Sequence, residues 1–221
     1  MTHRKTQWTH RLAALLLALA VLAAMLPALG GTASAATDYW DSFAASDATD
    51  YADDDGGNVS IGTAAGLAHF ASLVNAGDDF SGVTVTLTDA IDLSAHYWVP
   101  IGQTIVNATD INSTVSEMKF GGVFDGANHE ITELTIYEPS GAYCTGNALF
   151  GSSNGTVKNV IIDVNINAMR LCAAIVAKNE GTVTDCTSTG IVKEDSSGGT
   201  RAGGGIVGQN FAGATSAPLR C

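Results

Sequence analysis

The sequence predicts an all-β fold: a parallel β-solenoid with one capping helix near its N-terminal end. Three observations lead there. First, Leu149-Phe150-Gly151-Ser152-Ser153-Asn154-Gly155-Thr156-Val157-Lys158-Asn159-Val160 returns as Ile175-Val176-Ala177-Lys178-Asn179-Glu180-Gly181-Thr182-Val183-Thr184-Asp185-Cys186, and a third copy begins at Ile206-Val207-Gly208-Gln209-Asn210. A repeat of about 26 to 31 residues is too short to bury its own apolar face and must stack on its neighbours. Second, hydrophobicity alternates with period two from Val83 onward, as in half-buried strands. Third, Gly and Asn punctuate every few residues, which suits the corners of closed rungs. A β-sandwich built from meanders is the alternative reading.

Residues 1–35 read as a signal peptide. Arg4, Lys5 and Arg11 precede an apolar run from Leu12 to Leu29. Ala33-Ser34-Ala35 then satisfies the small-x-small rule, which places cleavage after Ala35 or Ala36. The run approaches membrane-spanning length, but Pro27 and the small-residue site favour cleavage over an uncleaved anchor. A second long apolar run does not follow, so the processed chain is expected not to span a membrane and to be secreted or held at the cell surface.

Charge narrows the partners. Three of the 10 Lys and Arg residues precede the cleavage site, whereas all 22 acids follow it. Phosphate recognition needs clustered Lys and Arg, so nucleic acid and anionic lipid are excluded as partners.

Residues 36–58 form an acidic leading segment that reads as solvated. Asp53 and Asp55 alternate as calcium ligands do, but Gly57 takes the next ligand position and no Glu follows at the required distance. Thr63 is a natural N-cap for a helix that Gly77 stops. Leu67, Phe70, Ala71 and Val74 form its apolar stripe, suited to covering an open sheet end. Val83, Val85 and Leu87 mark a strand, Ile91 and Leu93 another, and Trp98 to Gly102 a short strand ending in a turn. Gln103 to Met118 shows no period and reads as an insertion or loop. Phe120 to Ile136 reads as strand, tight turn, strand, with Asp125-Gly126 and Asn128 supplying the turn. In the repeats, Gly155 stacks on Gly181, Val157 on Val183, and Val160 on Cys186.

The Leu/Ile-Phe/Val-Gly-x-Asn-x-Gly-x-Val-x-Asn pattern resembles the GLUG repeat of bacterial cell-surface proteins. The upstream blocks are similar to the segment that precedes those repeats: Ile61 to Ala68, Leu73-Val74-Asn75, Ile91-Asp92-Leu93, Trp98 to Gly102 and Phe120 to Ile136. The resemblance covers roughly residues 51–211. It implies a right-handed β-helix-like domain, here residues 59–211, in secreted or wall-attached proteins that include adhesins and the flanking regions of surface proteases. It implies no catalytic residues in this domain. The third copy departs from the pattern: Ala212 stands where Gly is expected, and Gly213 comes one position late. Residues 212–221 therefore read as an irregular tail, and the chain as the N-terminal part of a longer surface protein.

No residues form a catalytic, cofactor or metal constellation. Cys144 and Cys172 lie about one coil apart, and in an exported chain they are a candidate disulfide. Cys186 reads as a small buried hydrophobe. His69, His96 and His129 lack metal-ligand spacing, and no nucleophile-elbow signature is present. Acceptor sequences for N-glycosylation begin at Asn58, Asn107, Asn112 and Asn154, but in a bacterial-type export context no glycans are expected there. The expected function is a non-catalytic surface module, part of an adhesin that binds host glycan or extracellular protein. The alternatives are the substrate-targeting leader region of a surface protease and a β-helix polysaccharide-degrading enzyme. The enzyme reading rests on fold analogy alone.

Overall fold

The computed structural model describes residues 38–40, 51–54, 57–106, 114–137, 144–168, 171–194, 202–211, 213–216 and 219–220. The signal segment, with Ala35 and Ala36, lies outside them. The described residues form about four turns of a parallel β-solenoid, not a sandwich. In chain order, β1 (Tyr51–Asp54) and β2 (Asn58–Ile61) precede helix α1 (Ala64–Asn75). The first turn continues with β3 (Thr84–Leu87) and β4 (Ile91–Asp92), and β5 (Thr104–Val106) and β6 (Thr114–Glu117) follow. The next turn is β7 (Val123–Asp125), β8 (Glu130–Tyr137) and β9 (Cys144–Thr145). The two repeat copies give β10 (Phe150–Ser153), β11 (Thr156–Lys158), β12 (Ile161–Ala168) and β13 (Leu171–Ala173), then β14 (Val176–Asn179), β15 (Thr182–Thr184), β16 (Cys186–Glu194) and β17 (Ala202–Gly204). The third copy gives β18 (Val207–Asn210), β19 (Thr215–Ser216) and β20 (Leu219–Arg220).

Each turn lays one strand on each of three faces. The first face stacks β2, β3, β7, β11, β15 and β19; the second stacks β4, β8, β12, β16 and β20; the third stacks β10, β14 and β18. All of these neighbours are parallel. The expected columns form the core. On the first face Val59, Val85, Phe124, Val157, Val183 and Ser216 lie in one register. On the second, Leu134 lies beside Val164, and Ile136 beside Ile166. The inward residues Ile131 and Leu134 are three apart, which breaks a period of two. A bulge absorbs the odd residue at Glu133, whose φ is +58°.

The stacking glycines have a steric reason. Gly122, Gly155 and Gly181 are successive neighbours up the first face, where the amides of Thr156 and Thr182 donate to the carbonyls of Gly122 and Gly155. A methyl at Gly155 would overlap the Gly122 oxygen, and one at Gly181 the Gly155 oxygen. The corner that follows is turned by Asn159 and Asp185, both at φ +54°. Asn tolerates this left-handed conformation and Asp does so to a lesser degree.

Helix α1 starts at Thr63, whose Oγ1 accepts from the Gly66 amide at 3.1 Å. Its stripe of Leu67, Phe70, Ala71 and Val74 is buried, and Gly77 follows at φ +109°. The helix forms the crossover from β2 to β3. It packs on the third side of the coil, where the Asn75 side chain donates to Pro100 O at 3.0 Å and accepts from the Gly102 amide at 2.9 Å. Thr63→Ala is expected to lower stability by about 1 kcal/mol, measured by urea unfolding, because a first-turn amide loses its acceptor.

The structure corrects three expectations. The leading segment is not wholly solvated: within it β1 pairs antiparallel with β2 along all four residues, and Trp40 is buried. Its acids hid a strand because an edge strand needs backbone pairing more than apolar side chains. The stretch 103–118 is indeed an insertion, but its described ends are β5 and β6, an antiparallel pair extended by β9. Strands of three or four residues carry too few positions to show a period. Finally, residues 212–221 are not irregular throughout, because β19 and β20 continue the first and second faces. Four residues separate Asn210 from Thr215, against two between Asn179 and Thr182, and the longer corner obscured the repeat.

Candidate functional site

The outward side of the second face is the most exposed regular surface. Outward residues of β8, β12 and β16 line up across strands: Thr135, Asn165 and Ile191 in one row, Tyr137, Asn167 and Lys193 in the next. Thr189 Oγ1 donates to Asp163 Oδ1 at 2.8 Å within the same surface. A tyrosine cluster adjoins these rows, with Tyr97 level with Thr135 and not with Tyr137. Tyr97 packs tilted against Tyr137 with ring centroids 5.6 Å apart, and Tyr39 tilted against Tyr97 at the same separation. Backbone positions it: Tyr39 bridges Tyr97 in parallel, and the Trp98 amide donates to Thr135 O at 2.8 Å. The Tyr39 hydroxyl donates to Tyr137 O at 3.2 Å. Tyr137 is 54% exposed, and Asn167 and Lys193 are exposed too. The result is a short strip of three tyrosine rings packed on one another, Tyr137 exposed and Tyr39 and Tyr97 half-buried, beside the exposed Asn167 and Lys193.

A second cluster lies on the third face. Ile101 bridges Phe150, and Phe120 bridges Ser153. Ile101-Gly102 and Lys119-Phe120 are therefore the two halves of one repeat strand, split by the β5–β6 insertion. This puts Lys119 in line with Ser152 and Lys178. Glu117, at the end of β6, folds over that column. Lys119 Nζ lies 3.1 Å from Glu117 Oε2 and 2.7 Å from Glu180 Oε2. Lys178 Nζ lies 3.0 Å from Glu180 Oε1 and also pairs with Glu117. Thr104 and Ser152 hydroxyls donate to Glu117 Oε1 at 3.2 and 3.3 Å.

Burial pushes the Glu117 carboxyl up, but hydrogen bonds and charge from Lys178 and Lys119 outweigh it and hold it low. The Lys119 hydrogen bond, with Lys178, likewise holds Glu180 low against burial. For Lys119, burial acts downward, and its bonds to Glu180 and Glu117 outweigh it and raise the ammonium. The four paired charges form a clamp that ties the end of the β5–β6 insertion to the coil. The sign of its pH dependence follows. Stabilisation from the two carboxylates is complete above their unfolded values and lost as pH falls through the depressed folded ones. That from Lys119 is complete below its unfolded value and lost as pH rises through the raised one. Glu117→Gln is expected to flatten the acid limb of a pH–stability profile. The loss at neutral pH should be modest, about 1 kcal/mol, because the pairs are partly solvated.

Among the described side chains, the residues singled out in the sequence do not converge. Cys172 is buried on β13, with Sγ 3.5 Å from Ala168 O. Its backbone bridges Asn147, whereas Cys144 pairs with Ile105. The side chain of Cys144 lies outside the described residues, as does Cys221. Cys186 is buried as expected, and that burial pushes its thiol up to about 11. His69 packs edge-on to Tyr51, His96 edge-on to Trp40, and His129 sits in the turn after Asp125. Asp125 accepts from the Ala127 amide and Asn159 and pairs with Lys158 at 3.0 Å.

The strip and the clamp were both missed in the sequence. For the clamp the signal was present: a repeat search allowing a long gap would align Ile101-Gly102 and Lys119-Phe120 with Val176 to Asn179. For the strip, Tyr39, Tyr97 and Tyr137 share no local motif, and only the stacking of separate turns unites them. Compared with known protein families, curated proteins and solved structures, the chain matches none.

Proposed function

We propose that this chain is a secreted or cell-surface, non-catalytic β-solenoid module, part of a bacterial adhesin that binds host glycan or extracellular protein. The observation that carries the reading is the exposed outward side of the second face, where the strip of Tyr39, Tyr97 and Tyr137 adjoins Asn165, Asn167 and Lys193. Clustered aromatics beside exposed polar side chains on a rigid, paired face are suited to recognition. The signal-like N-terminus and the likeness of the repeats to GLUG sequences support export and display. The four-part clamp, its charges paired with one another, fits a structural role.

The test has two parts. Expressed in a bacterial host, the full chain is expected outside the cytoplasm, with an N-terminus at Ala36 or Thr37 by sequencing. An unprocessed cytoplasmic product overturns export. The processed protein is expected to bind host-cell surfaces saturably, and the absence of saturable binding there overturns the adhesin role.

A further inference from the structure

We propose that the outward side of the second face docks a folded extracellular protein of basic surface, with Tyr137 and Ile191 as anchors and the carboxylates of β4, β8 and β12 as counter-charges. The proposal rests on the binding-module reading above and names the partner.

Apolar anchors are the first argument. Among the described residues the exposed large hydrophobic side chains are Tyr137, Ile191 at 62% and Phe211. Tyr137 and Ile191 share this face: Ile191 lies in the row of Asn165, and Tyr137 in the row of Asn167. At about 4.8 Å per strand and about 3.3 Å per residue they stand roughly 12 Å apart, with the two amides between them. An aromatic and an aliphatic side chain among uncharged polar groups make the kind of patch that forms the centre of a protein interface. An extended peptide would need an open sheet edge, and β8, β12 and β16 are paired with one another here. A sugar chain would need open ring faces, and Tyr39 and Tyr97 are half-buried.

Charge is the second argument, and it sets the partner's sign. Nearer the beginnings of the strands, Asp92 pairs with Thr132, and the bulge places Thr132 and Glu133 together opposite Asp163. Carboxylates thus stand at one height on three adjacent strands, and Glu130 is exposed on the same face. Asp92 accepts from the Ser94 amide and Asp163 from the Thr189 hydroxyl. The ion pairs of the described residues lie on the other faces, Asp125 with Lys158 on the first and the four-charge clamp on the third. The described bases of the second face, Lys193 and Arg220, stand on the later strands β16 and β20. Its earlier strands therefore carry an uncompensated negative field, which draws a basic surface and repels a second copy of this chain.

Flow cytometry of the processed protein on cultured epithelial cells tests this. Saturable binding is expected to be lost after trypsin treatment of the cells and kept after periodate oxidation of their glycans. The apparent Kd should rise about fivefold between about 0.05 and about 0.3 M salt, as surface charges are screened. Tyr137→Ser and, separately, Ile191→Ser should weaken binding about tenfold, the loss of one anchor. Glu130→Gln combined with Glu133→Gln should weaken it several-fold and flatten the salt dependence. Thermal unfolding of each variant confirms that it folds. Thr84→Ser, outward on the first face, should leave binding unchanged. Binding that the second-face variants leave intact overturns the docking face while the module reading stands. Binding that survives trypsin and is lost with periodate overturns the protein partner in favour of a glycan. Binding that holds or strengthens as salt rises overturns the basic surface. Absence of saturable binding by the unaltered protein sinks the underlying reading, and the proposal with it.

Discussion

Replacing Phe70 with alanine is expected to destabilise the protein by about 3–5 kcal/mol, the range for emptying a fully buried aromatic site. Phe70 is the one aromatic residue that helix α1 inserts into the coil. Its ring meets Phe80 at 4.9 Å and Phe120 at 5.5 Å, both edge-on, and stacks on Phe124 at 6.0 Å. Phe120 and Phe124 in turn contact Phe150 of the first repeat copy. The helix is thereby tied to two successive turns through one side chain. Its own propensity cannot hold it, since twelve residues make a marginal isolated helix. Urea unfolding should show the loss, and Phe70→Leu, which keeps most of the volume, should cost far less. A loss below about 1 kcal/mol for the alanine variant would mean that the helix is not docked as described.

The second large effect is expected at a glycine. Gly181→Ala would drive a methyl into the Gly155 carbonyl and the backbone of Asn154. Backbone atoms of a paired ladder cannot rotate away as a flexible side chain can, so the two levels must separate locally. A cost of about 3 kcal/mol, at the upper end of overpacking effects, is expected from thermal or urea unfolding. Gly203→Ala is the matched control. An added methyl there meets nothing within 4 Å, and the change should stay within about 0.5 kcal/mol. Equal effects at the two positions would mean that glycine matters here for chain flexibility and not for the close approach of neighbouring turns.

Both predictions concern features whose residues were visible in the sequence to different degrees. The Gly181 stack followed directly from aligning two repeats, because parallel in-register stacking puts equal phases in contact. The same logic located the columns of Val157 with Val183 and Val160 with Cys186. The stripe on α1 was equally plain, and with it the burial of Phe70. Which rings Phe70 meets was not, since Phe80, Phe120 and Phe124 come from separate segments of the chain. The insertion between Gly102 and Lys119 shows where periodicity stops being informative. It divides a repeat strand in two, and neither half is long enough to declare itself.

The candidate sites were less legible than the scaffold. Glu117 and Lys119 are separated from Lys178 and Glu180 by about sixty positions, and only the stacked turns bring the four charges within contact distance. Tyr39, Tyr97 and Tyr137 meet because successive turns bring distant segments side by side, with Tyr39 bridging Tyr97 and the Tyr97 ring packing against Tyr137 from the neighbouring row. By itself the sequence determined the repeat, the alternation and the glycine phase, because local sterics and burial period act on neighbours along the chain. The tertiary structure alone decided the clamp and the tyrosine strip, because contacts between turns depend on how the ladders align in space.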